Sequence, residues 1–245
     1  MANEGGTWII YGVSEDDPYC IHTVEQLEEY INEIGFLPLF KNVIPGFSVE
    51  ERTAADYWWT GIREHDPWEW REIIASRGNI AYGKFFNKKA GFISKAWFPY
   101  FANYRRDGYD FDALWDDEKA SIREKKIMDL FDEDTEEYSA NVKKNAGFGK
   151  GGEKNFDGVV TELQMKTYLC LRDFRQRKNK KGQPYGWPVA IYSMPEHLWG
   201  YDHVCSAYNE EPQESGNKIY EHMKDIYPVA TDKDIKKVVG VSVEK

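Results

Sequence analysis

Between residues 161 and 192 the pattern of apolar residues changes period twice, and few folds accommodate that change. Thr161-Glu-Leu-Gln164 has the spacing of a capping box, with Leu163, Tyr168 and Leu169 facing inward from the helix it would open. Leu171-Arg-Asp-Phe-Arg-Gln-Arg177 then alternates apolar and charged residues, which is the period of a strand with one buried face. Asn179-Lys-Lys-Gly182 is a turn signal, and Trp187 to Tyr192 reads as the returning strand. A helix followed by a hairpin with a basic end is how a winged helix finishes. In such folds the helix can enter a major groove while the hairpin touches backbone phosphates. A winged-helix unit is therefore expected between Tyr138 and Tyr192, turning at 179–182.

The rest of the chain carries its own punctuation. Thr7 to Val13 reads as a short strand. Thr23-Val-Glu-Gln26 is a capping box, followed by Val24, Leu27, Ile31 and Ile34 at helical spacing, with Gly35 as the stop. Ser48-Val-Glu-Glu51 is a second box, opening a helix toward Trp58 and Trp59. Asp66-Pro67-Trp68-Glu69 combines an N-cap, Pro at the first helical position and Glu at the third, and Gly78 closes that helix. Residues 79–86 and 91–93 read as a hairpin around 87–90, and Ser94 as a cap for a helix that Pro99 must kink or delay. Residues 112–131 read as one long amphipathic stretch. An acidic run at 132–137 marks the expected domain boundary. Helices are also expected from about Glu136 to before Gly147, over 217–227 and over 232–239. The fold class is thus α+β and helix-rich with short β-hairpins. It is expected as tandem winged-helix-like domains, an aromatic-rich one over 1–131 and one with a basic wing over 132–245.

Nine Trp, sixteen Tyr and thirteen Phe in 245 residues argue against a disordered chain. No apolar run approaches the roughly 20 residues of a membrane span, and Met1-Ala2-Asn3-Glu4 lacks the features of a secretory leader. Cys20, Cys170 and Cys205 are odd in number and far apart, which fits reduced thiols and a cytoplasmic location. Net charge is −10, yet residues 143–181 carry eleven Lys/Arg against four Asp/Glu. That segment is +7 and the remainder −17, so any contact with nucleic acid must be local rather than general.

Several chemical motifs fail. Gly147 to Gly152 resembles a phosphate-binding loop, but Lys150 is followed by Gly151 rather than Ser or Thr. His197, His203 and Cys205 lack a second ligand pair at zinc spacing, so no metal is expected, and no cofactor motif appears. Trp58, Trp59, Trp68 and Trp70 are dense enough to form either core or an aromatic pocket that stacks bases. The basic candidates for nucleic-acid contact are Lys166, Arg172, Arg175, Arg177, Lys178, Lys180 and Lys181.

Three segments resemble the AlkZ/YcaQ-type winged-helix DNA glycosylases, which excise alkylated or crosslinked bases. Ile34-Gly-Phe-Leu-Pro-Leu-Phe40 is similar to that family's Gly-aromatic-aliphatic segment. Residues 66–99 resemble the stretch leading into its Trp/Tyr-rich part. Ala190-Ile-Tyr-Ser-Met-Pro-Glu196 resembles its wing strand and the Tyr-x-x-Pro-Glu element beyond. The whole chain resembles more closely the group called AlkZ-related, whose activity is unassigned. The resemblance implies a catalytic Gln-x-Gln or Gln-x-Asp pair, and in its place stand Pro38 and Phe40, neither of which has a polar side-chain group. Gln26 and Gln164 do not form such a pair. Family chains typically hold three winged helices, whereas this length leaves room for about two. Three readings follow: a non-catalytic DNA-binding protein, a divergent glycosylase acting on alkylated bases, or an acidic module that meets a protein partner without nucleic acid.

Overall fold

Side-chain caps and glycine stops position the first helices. The computed structural model describes residues 2–4, 7–131, 135–179 and 181–242. In chain order its elements are β1 (Ala2–Glu4), β2 (Thr7–Ile9), α1 (Val24–Ile34), β3 (Phe36–Pro38), two 3-10 turns (Glu50–Arg52 and Ala55–Tyr57), α2 (Pro67–Arg77), β4 (Ile80–Phe86), β5 (Lys89–Ser94), α3 (Phe98–Arg106), α4 (Phe111–Asp116), α5 (Ile122–Met128), β6 (Glu137–Tyr138), α6 (Ser139–Asn145), α7 (Phe156–Met165), β7 (Cys170–Lys178), β8 (Pro184–Ser193), α8 (Pro195–Trp199), α9 (Tyr201–Val204), α10 (Pro212–Ile226) and α11 (Asp232–Val238). The fold is α+β and helix-rich. No helix among the described residues is long and apolar enough to cross a membrane.

At α1, Thr23 Oγ1 accepts from the Gln26 amide at 3.2 Å, while Gln26 Oε1 accepts from the His22 amide at 2.8 Å. Gly35 closes the helix at φ +88°, a value that L side chains rarely adopt. Asp66 caps α2 through the Trp68 amide at 2.8 Å, and Gly78 ends it in the left-handed region. The β4–β5 turn is tighter than the expected four residues. Asn87 and Lys88 both take positive φ, matching the primed turns that continue strand twist.

Four expectations need correction. Thr161 does not open a helix. It lies inside α7, and its Oγ1 donates to the Asp157 carbonyl at 2.6 Å. Burial of Phe156, Val159 and Val160 extends the helix upstream through Gly158, outweighing glycine's cost of about 1 kcal/mol. Ser48 and Glu51 do exchange capping bonds, but the 3-10 turn they open stops at Arg52, because Thr53 returns to extended backbone. The stretch over 112–131 is two helices. Glu118 takes φ +58° between them, and Ser121-Ile-Arg-Glu124 forms a capping box that starts α5. Ser94 ends β5 rather than capping α3, which begins at Phe98 with Pro99 in its first turn.

One antiparallel sheet of six strands runs β3-β5-β4-β7-β8-β6. Tyr82 of β4 stands opposite Leu171 of β7, so strands from both sides of the acidic run share this sheet. Asp132, where the division was expected, lies outside the described residues. One apolar core lies against β3, β4 and β5 and draws on α1, α2, α3, α10 and α11, with Leu27, Ile31, Phe36, Trp70, Phe92 and Phe101 fully buried. A second core gathers α4, α5, α6 and α7 around Ile127, Val142, Leu163 and Leu169.

Arg106, at the end of α3, joins the two. Its Nη1 meets Glu196 at 2.5 Å, its Nη2 donates to the Thr167 carbonyl at 2.7 Å, and its Nε to Thr167 Oγ1 at 3.3 Å. The Tyr168 ring lies 4.6 Å from the guanidinium. Removing one partner of a buried pair strands the other charge. Glu196→Ala should therefore cost about 3–5 kcal/mol in urea unfolding. It should also raise amide exchange at Leu169, Cys170 and Ser193, with Glu196→Gln intermediate. Unchanged exchange there would show that Arg106 does not anchor these strands.

Candidate nucleic-acid interface

The β7–β8 hairpin is rooted in the core and free at its far end. Cys170 and Ile191 are buried, whereas every described residue from Arg175 to Pro188 is exposed. The ladder slips between Leu171 and Asp173 and again between Arg175 and Arg177. Such irregularities add local twist and re-aim side chains. Asn179 closes the turn. Its side-chain oxygen accepts from the Lys181 amide at 2.8 Å and from the Gln183 amide at 3.1 Å, and Gly182 takes φ +77°.

The basic residues expected to act together fall into two groups. Lys166 is tied to Glu124 at 2.6 Å, on the helical side of the structure. Arg172 donates to the Ala75 and Ser76 carbonyls at the end of α2, where a cation meets the negative end of the helix, and pairs with Glu136 at 3.1 Å. Arg175 is held by Asp173 and Glu136. These three are structural ties. Arg177, Lys178 and Lys181 are exposed at the hairpin end and form no ion pair among the described residues. Lys180 lies outside the described residues.

Beside the hairpin a cleft of about 740 Å³ opens over the sheet. Tyr82, Phe174, Ala190 and Tyr192 line it from β4, β7 and β8, and Trp68 and Arg71 from α2, with Phe40, Trp187 and Pro188 completing the wall. Arg71 is buried and its guanidinium carbon stands over two rings, 3.8 Å from the Trp68 centroid and 4.4 Å from that of Phe174. It pairs with Glu72 at 3.0 Å. Burial pushes the Glu72 carboxyl above its ordinary range, against the pull of Arg71, and pushes the Tyr82 hydroxyl up to about 12. Lys84, absent from the basic residues picked out in the sequence, is exposed on the same cleft, with Nζ 3.3 Å from Thr161 Oγ1. Arg71 and Glu72 were missed too. Arg71, Glu72 and Trp68 sit on a helix whose polar and apolar residues are mixed around its girth, so periodicity does not single them out.

The four tryptophans separate. Trp70 is fully buried, donating to the Glu64 carbonyl, and Trp58 is buried, donating to Thr53 Oγ1. Trp59 is half exposed, and of the four only Trp68 lines the cleft. Pro38 sits in β3 opposite Gly91, and Phe40 packs between Trp58 and Trp68 at centroid distances of 5.6 and 6.4 Å. His197 contacts Ser193 and the Thr135 carbonyl, and His203 the Lys95 carbonyl. Among the described residues no His/Cys/Asp/Glu group is arranged to hold a metal ion.

A family model described as AlkZ related matches residues 21–240. No curated protein and no solved structure matches the chain.

The assignment of Lys166 as a structural tie has a pH signature. Burial pushes the Glu124 carboxyl up, but hydrogen bonds from Lys166 and Ser121 outweigh it and hold the group below its ordinary value of 4.5. A lowered carboxylate adds stability above pH 4.5 that disappears as pH falls through its folded value. Glu124→Gln should lose about 1–2 kcal/mol at pH 7 and converge with the parent below that window. A constant difference in urea midpoints from pH 7 to pH 3 would contradict the assignment.

Proposed function

The chain belongs to the AlkZ-related family, and from that we propose a nucleic-acid-binding protein that makes contact through the free end of the β7–β8 hairpin and does not cut the glycosidic bond. The observation that carries this reading is the segregation of charge. The chain is −10 overall, yet Arg177, Lys178 and Lys181 are gathered at the exposed end of one hairpin. An acidic body disfavours approach by phosphates elsewhere and favours it here. The absence of cleavage follows from Pro38 and Phe40. A polar pair positions water and steadies a developing cationic sugar, whereas Phe40 offers the cleft an apolar wall.

One observation favours a second reading. Glu72 is a carboxyl of raised pKa on the cleft, which is the usual setting of a general acid. A divergent glycosylase would use it. The third reading, an acidic module that meets a protein, is what remains if nucleic acid does not bind.

Replacing Arg177, Lys178 and Lys181 together by Ala should weaken binding of labelled DNA. It should also reduce the salt slope by roughly two to three units, about one for each lost phosphate contact. Incubation with duplex DNA containing methylated purines should release no free base. Release that depends on Glu72, tested with Glu72→Gln, would replace the first reading by the second.

A further inference from the structure

Hairpin and cleft together suit one kind of nucleic acid better than another. A duplex is usually read by a helix laid in its major groove. The helix placed for that role here is α7, and it is spent on packing. Phe156, Val159, Val160, Leu163 and Gln164 are buried, and its outer face shows Asp157 and Glu162, the latter paired with Lys88 at 2.6 Å. That face presents no free cation of its own to phosphates, and the buried side is committed to the core, so this helix is poorly suited to read a groove.

What the surface offers instead is exposed aromatic rings interleaved with cations. Trp187 is 90% exposed and Tyr185 50%, both on β8. Arg177 stands directly across from Tyr185, and cross-strand partners share a face of the ribbon. Trp187 is also part of the cleft wall, so the basic end leads into the cleft along a single strand of the hairpin. Within the cleft the walls are π-rich, with the Arg71 guanidinium packed against Trp68 and Phe174, and Lys84 adds a further exposed cation. The volume, about 740 Å³, falls within the range of small-molecule binding clefts. Single-stranded nucleic acid is bound in this way, with the backbone tracked by cations and successive bases stacked on aromatic rings.

We infer that this protein binds an unpaired strand in preference to a duplex, with one base stacked on Trp187 and the next turned into the cleft walled by Trp68, Phe174 and Tyr82. The inference rests on the proposed nucleic-acid reading and specifies its ligand. Three labelled probes of equal length test it: a single strand of thymidines, the same strand made abasic throughout, and a duplex. The thymidine strand should bind about tenfold or more tighter than either of the others, since stacking of a base on an aromatic ring is commonly worth that much. Trp187→Ala should weaken the thymidine strand by several-fold, part of the way to the abasic level, and leave abasic-strand binding unchanged, and Trp187→Phe should restore most of the loss. With 90% of Trp187 already in water, the thermal melt of the Ala variant should match the parent. Duplex binding as tight as single-strand binding, or an Ala variant that keeps the preference undiminished, overturns the inference. If the duplex still binds and loses salt slope when Arg177, Lys178 and Lys181 are replaced, nucleic-acid binding stands and only the strand preference falls. If none of the probes binds at low salt, both fall.

Discussion

The Arg106 guanidinium is the interaction on which the candidate interface depends. Thr167 lies just before β7 and Glu196 just after β8, and one buried side chain holds both. Each is three residues from its strand, so the two roots of the hairpin are fixed at a common point. A third contact, from Nη1 to the Tyr208 hydroxyl at 3.4 Å, draws in the chain beyond α9, and Tyr168 and Tyr208 both donate to the Tyr109 carbonyl. A buried ion pair is a poor source of net stability against an apolar substitute, because desolvation of both charges offsets their attraction. Its merit is geometric. An apolar contact at Arg106 would hold α3 against the second core without fixing the direction from which the hairpin leaves.

From that anchor the hairpin changes character along its length. Near the root, Arg172 caps the carbonyls of α2 and so ties α2 to β7, and Arg175 is held by Asp173 and Glu136. The cleft lies between these two elements, and the hydrogen bonds that tie them come from Arg172, which the sequence presents only as part of a basic run. Beyond Arg175 the backbone bonds are those of an isolated two-stranded ribbon. Such a ribbon is marginal by itself in water. A rigid cleft with a pliant arm beside it can keep a binding wall preorganised while the arm adjusts to a ligand.

The sequence shows elements more readily than it shows partners. Gly35, Gly78 and the Asp66-Pro67 start locate α1 and α2 because each acts through backbone atoms within a few residues. The β7–β8 alternation likewise places the hairpin and its turn. Thr161 misleads because a Ser/Thr-x-x-Gln pattern is equally compatible with a mid-helix hydroxyl bonding back one turn, and only the burial of Phe156 and Val159 decides between them. The candidate site was partly legible. Arg177, Lys178 and Lys181 follow from their place beside a turn. Lys166, Arg172 and Arg175 look the same in sequence, yet Glu124 and Glu136, their partners, lie some forty residues away along the chain. Trp68 could not be separated from Trp58 and Trp70 by spacing, since the difference is which side of Phe40 and α2 each ring occupies.

Electrostatics alone would make this a weak binder, and that limit gives the aromatic surface its importance. The three free cations that stand at the hairpin end among the described residues, with Lys84 beyond them, neutralise few phosphates. Counterion release scales with that number, at about 0.7 per contact for a single strand and 0.9 for a duplex. The remainder of the chain is acidic, and at physiological salt its field decays over about 8 Å, so it acts on any strand lying close along the body. Extending the contact by wrapping would therefore add repulsion as well as attraction. Stacking carries no such penalty. It is insensitive to net charge, it draws on rings already facing solvent or lining the cleft, and it needs a base free of its partner. On a chain of this charge the aromatic contribution is the one that can grow without opposition, and under the proposed single-strand reading that puts Trp187, rather than the lysines, at the centre of the candidate interface.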